Sequence, residues 1–152
     1  MIKTMLDKAG EESEMFDAVL IQGDFIRHDF NIGKDGVDFD HKIDTIIKMF
    51  KNLTDMVEAK FPGTPILPVF GNNDVEKGYQ TPNNTKFHDE FYKRVFEAWF
   101  PADKNEMKDW DTFKKGGFYS YSIDDSLEVL GLNSLYFAFK NHNEAIYPVA
   151  DT

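Results

Sequence analysis

The chain has 152 residues, enough for one ordinary domain that buries roughly 68–70% of its unfolded surface. It contains no cysteine, which excludes disulfides and thiolate metal sites, so any metal must be held by oxygen or imidazole ligands. A net charge of −10 excludes the basic surface on which non-specific nucleic-acid binding depends, although a bound metal reverses the sign locally and admits a phosphorylated substrate.

Residues 3–15 read as a polar helical segment, and the first residues, MIKTMLDKAGEESE, are too polar for a signal peptide. No apolar run approaches the ~18 residues of a spanning helix. The expectation is a cytosolic protein, or one whose targeting segment is absent from this chain. DAVLIQGD (17–24) is a short apolar run ending in Gly-Asp, as a buried strand does. The stretch 25–40, FIRHDFNIGKDGVDFD, has the Gly, Asn and Asp content of a loop.

Ile43, Ile46, Ile47, Phe50, Leu53, Val57 and Phe61 then recur at three- and four-residue steps, an apolar helical stripe of about five turns. Asp38 or Asp40 is a candidate cap for its start, and FPGTP ends it. PILPVFG (65–71) predicts a second buried strand, with two prolines arguing against a central position. Residues 75–86 read as loop. Phe87, Phe91, Val95, Phe96, Trp99 and Phe100 predict another helix, stopped by Pro101. A charged loop follows. GFYSYSI and LEVLGLNSLYF, joined by Asp124-Asp125-Ser126, predict a hairpin. The sequons at Asn52 and Asn83 are short enough to arise by chance.

Strand, helix and strand within about 55 residues make a βαβ unit, so the strands at 17–23 and 65–71 should run parallel. The hairpin would make the sheet mixed, in a single α/β domain spanning 1–152. Parallel strands end on one rim, where open α/β sheets bind ligands. Two loops are delivered there, GDFIRHD (23–29) and GNND (71–74). They offer Asp24, Arg27, His28, Asp29, Asn72, Asn73 and Asp74. Carboxylate, carboxamide oxygen and imidazole suit divalent metals such as Mg, Mn, Zn or Fe. Arg27 carries a forked donor suited to phosphate oxygens. Each loop taken alone is equally ordinary turn and helix-cap chemistry. Their meeting on one rim is what raises a site.

These motifs resemble those of the calcineurin-like metallophosphoesterases, which carry Gly-Asp and Gly-Asn-His-Asp/Glu at successive strand ends. GDFIRHD followed by GNND is similar to the vacuolar-type endopolyphosphatases, in which Asn replaces the usual His. FYKRVFEAWFP and GGFYSYSI…LEVLGLNSLYF also resemble that branch, and the acid sphingomyelinase-like phosphodiesterases are its sister group. The resemblance covers about residues 12–140 and implies a partial α/β/β/α sandwich. It implies two divalent metal ions (Zn, Mn, Fe, Mg or Co), with Asp24 bridging them and Asn72 ligating one. It implies that the metals activate a water for in-line attack on phosphorus. His28 would stand near the phosphate and leaving group, and Asp74 would orient its neighbour in the loop. Asn73 departs from the family's histidine. A carboxamide donates a hydrogen bond but no proton near neutral pH, so Asn73 becomes a phosphate-side donor and His28 takes the protonating role.

The resemblance further implies a polyphosphate substrate, with a sphingomyelinase-like phosphodiesterase as the alternative. It also implies a vacuolar, lysosomal or secreted setting, which the lack of cysteine weakens. The family's Asp-x-His does not precede residue 17, and no Gly-His motif follows the hairpin. His142 reads as a solvated surface residue, while His41 and His88 read as structural or exposed. The expectation is therefore an incomplete domain, the middle portion of a longer phosphoesterase or a truncated product. A non-catalytic remnant that keeps the fold without the metals is the reading from another class.

Overall fold

A computed structural model describes residues 2–11, 16–27, 39–75, 79–82, 85–101 and 110–139. After helix α1 (Ile2–Gly10), strand β1 (Val19–Ile21) leads through helix α2 (Phe39–Glu58) to strand β2 (Ile66–Pro68). The two strands pair in parallel, Val19 opposite Ile66 and Ile21 opposite Pro68, so the expected βαβ unit is present. Both strands are shorter than their apolar runs.

Burial follows the helical period. Ile43, Ile46, Phe50 and Val57 are buried on α2, and Phe61 is buried just past its end, while Ile47 and Leu53 are half-buried at the margin of the stripe. Thr54 interrupts the apolar series yet is itself buried. Its Oγ1 lies 3.1 Å from the Phe50 carbonyl, 3.0 Å from that of Lys51 and 3.4 Å from that of Ala98 on helix α3 (Thr85–Trp99). The hydroxyl thus has acceptors in its own helix and in the one packed against it. At the surface of the same helix pair, Arg94 donates to Asp44 at 2.5 Å.

An aromatic cluster joins the helices to the strands. Phe70, just beyond β2, packs on Trp99 with ring centroids 4.7 Å apart, and Phe50 packs on the same indole at 5.3 Å. Phe25, one residue past Asp24, stacks on Trp99 at 5.6 Å with planes 28° apart. Both loops named in the sequence therefore leave directly from the aromatic core.

Three differences from expectation have local causes. The charged stretch after Pro101 contains helix α4 (Trp110–Gly116), held by Phe113, whose side chain is wholly buried. Strands β3 (Tyr119–Ser122) and β4 (Glu128–Gly131) form the expected antiparallel hairpin, but the second strand stops early. Asn133 turns the chain into a 3-10 helix at Ser134–Phe137: its Oδ1 accepts from the Leu135 amide at 3.2 Å, and its Nδ2 donates to the Gly116 carbonyl at 2.9 Å. Finally, the fold holds parallel and antiparallel pairs, yet among the described residues they form two separate two-stranded sheets. The link is a side chain, Tyr119 Oη donating to the Pro68 carbonyl at 2.8 Å. Pro68 has no amide to offer a further strand, which fits the expectation that its prolines keep this segment out of a central position.

His88 is buried, with its ring edge-on to Tyr92 and Nδ1 3.2 Å from Asp89 Oδ1, a structural placement. His142 and the side chain of His41 lie outside the described residues, as do Asp38 and Asn83. Leu20 on β1 and Leu130, Leu132, Phe137 and Phe139 around β4 are exposed.

Candidate active site

The carboxyl ends of β1 and β2 are where the two polar loops meet. Gly23 has φ +81° and Asp24 φ 55°, so the chain leaves β1 through two successive left-handed residues. This costs a glycine little and an aspartate more. A side-chain carbon at Gly71 would fall on the Asp24 backbone nitrogen and carboxylate, and one at Gly23 would fall on the Gly71 backbone. The loops cross so closely that both glycines are required.

Asp74 locks the crossing. It is wholly buried, and its two carboxylate oxygens take backbone amides from different loops, Oδ1 from Ile26 at 3.0 Å and Oδ2 from Gly71 at 2.7 Å. Burial pushes its carboxyl up to about 6, with the amides of Gly71, Ile26 and Asp24 pulling the other way and the Asp24 charge adding a further upward push. The expectation for Asp74 was an orienting role towards its loop neighbour. Its partners are main-chain amides on both loops, and its side chain does not reach the surface.

Above this clasp lie the polar groups that do. Asp24 is exposed, and its Oδ1 accepts from the Asn73 amide at 3.2 Å and from Asn73 Nδ2 at 3.3 Å. Asn73 Oδ1 in turn accepts from Asn72 Nδ2 at 3.0 Å. Asp24, Asn72 and Asn73 are thus brought together as the motifs suggested. Arg27 is exposed on the outgoing loop, while His28 and Asp29 lie outside the described residues.

Sequence inspection missed Tyr79, whose amide donates to the Asn72 carbonyl at 2.8 Å and whose φ is 67°. It also missed the amide of Ile26. Backbone donors leave no residue-type signal in a sequence.

Asp24 Oδ2 and Asn72 Oδ1 take no part in the bonds above and are hard oxygen donors of the kind divalent cations accept. Among the described residues no group of three or more His, Asp or Glu is gathered closely enough to hold a metal. The residues present would fit one side of an oxygen-ligated centre, offering two candidate donors rather than a full shell.

The model of the calcineurin-like phosphoesterase family matches residues 1–147. The chain belongs to that family. It is a family of phosphoester hydrolases whose members generally use divalent metals. Similar proteins include human cyclic GMP-AMP phosphodiesterase, 32% identical over 98 residues that cover 62% of this chain and 20% of that protein. Sphingomyelin phosphodiesterase 1 of Caenorhabditis elegans is 26% identical over 130 residues, covering 81% of this chain and 21% of the other. Sphingomyelinase phosphodiesterase C of Dictyostelium discoideum is 25% identical over 96 residues, 63% of this chain and 20% of its own length. This chain thus spans about a fifth of the length of these relatives. Among the described residues no helix is long and apolar enough to cross a membrane.

Proposed function

We propose that this chain forms part of a metal-dependent phosphodiesterase, with Asp24 and Asn72 as its contribution to the metal centre. The observation that carries the proposal is the crossing of the Gly-Asp and Gly-Asn-Asn-Asp loops at the carboxyl ends of two parallel strands, with an exposed carboxylate at its top. When bound, divalent ions neutralise phosphoryl charge and supply a water of lowered pKa. The protein's own tasks are then orientation and proton delivery. His28 is assigned the proton given to the leaving oxygen, and Arg27 a forked contact to a phosphate oxygen. Asn73 cannot act as the acid.

The substrate class in this proposal is a phosphodiester. The branch resemblance implies polyphosphate, but the similar proteins are named for sphingomyelin and cyclic GMP-AMP and not for polyphosphate, which supports the diester alternative. A vacuolar, lysosomal or secreted setting belongs to the same proposal and rests on the branch resemblance alone.

The test is hydrolysis of bis-p-nitrophenyl phosphate, sphingomyelin, cyclic GMP-AMP and polyphosphate by the protein with Mn²⁺ or Zn²⁺. Diester cleavage above polyphosphate cleavage is the expected result, abolished by Asp24→Asn and reduced roughly 10²-fold or more in kcat by His28→Ala. Polyphosphate as the preferred substrate would overturn the diester assignment. The two-ligand count favours one second reading, a domain that keeps the fold without catalysis. Metal stoichiometry near zero, with no turnover of any of the four substrates, would establish that reading instead.

A further inference from the structure

Asn73 occupies the position where the family pattern has histidine, and its contacts suggest a task other than proton transfer or phosphate binding. Its amide group lies between two others. Nδ2 faces the Asp24 carboxylate at 3.3 Å, and Oδ1 faces Asn72 Nδ2 at 3.0 Å. Reversing the Asn73 amide would set its oxygen against the Asp24 carboxylate, acceptor against acceptor, and its NH₂ against the NH₂ of Asn72. Only one orientation satisfies both neighbours. That orientation then fixes theirs. Asn72 must turn its NH₂ inward and its carbonyl oxygen away from Asn73. Asp24 has Oδ1 occupied twice by Asn73, through the backbone amide and the side chain, with Oδ2 outside these bonds.

We infer that Asn73 is a positioning residue that presents Asn72 Oδ1 and Asp24 Oδ2 as a preset pair of oxygen donors to a divalent cation. The inference rests on the metal-binding reading given above. It gives Asn73 a task inside the protein beside the phosphate-side donor expected from the sequence, for which Nδ2 keeps a second N–H. A group that orients metal ligands in this way typically matters by about 10–100-fold in affinity.

The experiment is a double-mutant cycle read by Mn²⁺ binding, using calorimetry and the Mn²⁺ electron paramagnetic resonance signal of the full chain. Asn73→Ala removes the relay but keeps the backbone bond to Asp24. Asn72→Asp replaces an amide, whose two ends differ, by a carboxylate whose two oxygens are equivalent, so its orientation ceases to matter. Asn73→Ala is expected to weaken Mn²⁺ binding about 10-fold or more in the wild-type background and distinctly less in the Asn72→Asp background. Thermal unfolding should stay within about a degree or two in the metal-free state.

Equal losses in the two backgrounds would show that Asn73 does not act through Asn72 and would overturn the inference. A second measurement separates the inference from the reading beneath it. In the metal-free protein, the Asn72 side-chain amide resonances should shift on Asn73→Ala. An unshifted pair refutes the relay whatever the metal does. Shifted resonances in a wild-type protein that binds no Mn²⁺ refute the metal reading, and with it the presentation of the two oxygens.

Discussion

The residue on which most depends is Asp74, which never meets solvent. Each of its oxygens satisfies a backbone amide from a different loop, so Asp74→Ala would leave the Ile26 and Gly71 amides unpaired. At about 1–3 kcal/mol for each buried unpaired group, the expected loss is roughly 2–6 kcal/mol in denaturant unfolding. Asp74→Asn retains one acceptor but turns an NH₂ towards an amide, and should fall between wild type and Asp74→Ala. The pH dependence has a definite sign. The folded carboxyl sits near 6 against an ordinary 3.8, so between these values the native state holds more protons than the unfolded chain. The contribution of Asp74 is full below pH 3.8 and is lost as pH rises through 6, by about 3 kcal/mol. A metal-free Asp74→Asn variant should lack that decline in stability–pH curves; an unchanged slope would contradict the raised pKa. The importance of position 74 was legible in the sequence, since three polar groups after an apolar run asked for a reason. Its burial was not, because nothing local distinguishes a carboxylate facing out from one facing in.

At the scale of elements, what could be read depended on length and period. Helix α2 runs for 20 residues with a sustained apolar face, and its position followed from spacing alone. Helix α4 has seven residues, with Phe113 its one fully buried large side chain, too short for a period to emerge from charged surroundings. Yet Phe113 touches Phe70, Tyr92, Phe96, Trp99, Phe100 and Tyr119. Phe113→Ala should therefore cost about 3–5 kcal/mol in unfolding experiments, as large-to-small changes in cores do. Phe139→Ala, at a position 97% exposed, should change stability by less than about 0.5 kcal/mol. The early end of β4 was likewise hidden, because LEVLGLNSLYF alternates well enough to pass for one strand. Asn133 decides otherwise by bonding to Gly116, a partner 17 residues away in the chain.

For the whole molecule, the family match and the short coverage of its relatives act together. The described fold supplies a crossing of two loops and an aromatic core beneath it, while the stretch matched is only about a fifth of each relative. Leu130 and Leu132 stand 64% and 67% exposed, one residue apart on the same outward side of the hairpin strand and its extension. Leu130→Lys combined with Leu132→Lys should leave unfolding free energy nearly unchanged while reducing binding of the dye ANS. A large loss of stability on that double change would mean that the face is packed in solution. The net charge of −10 helps keep such a molecule dispersed despite this surface.

The close passage of Gly23 and Asp24 past Gly71 has a consequence for mutational tolerance. Selection for folding alone would hold positions 23 and 71 to glycine and position 74 to aspartate, whereas position 72, whose side chain bonds its neighbour Asn73 and neither main-chain loop among the contacts above, would accept more replacements. Selection for ligand binding would narrow 72 as well. The contrast between those two substitution spectra, read from one saturation library sorted twice, separates the residues that build the crossing from those that use it.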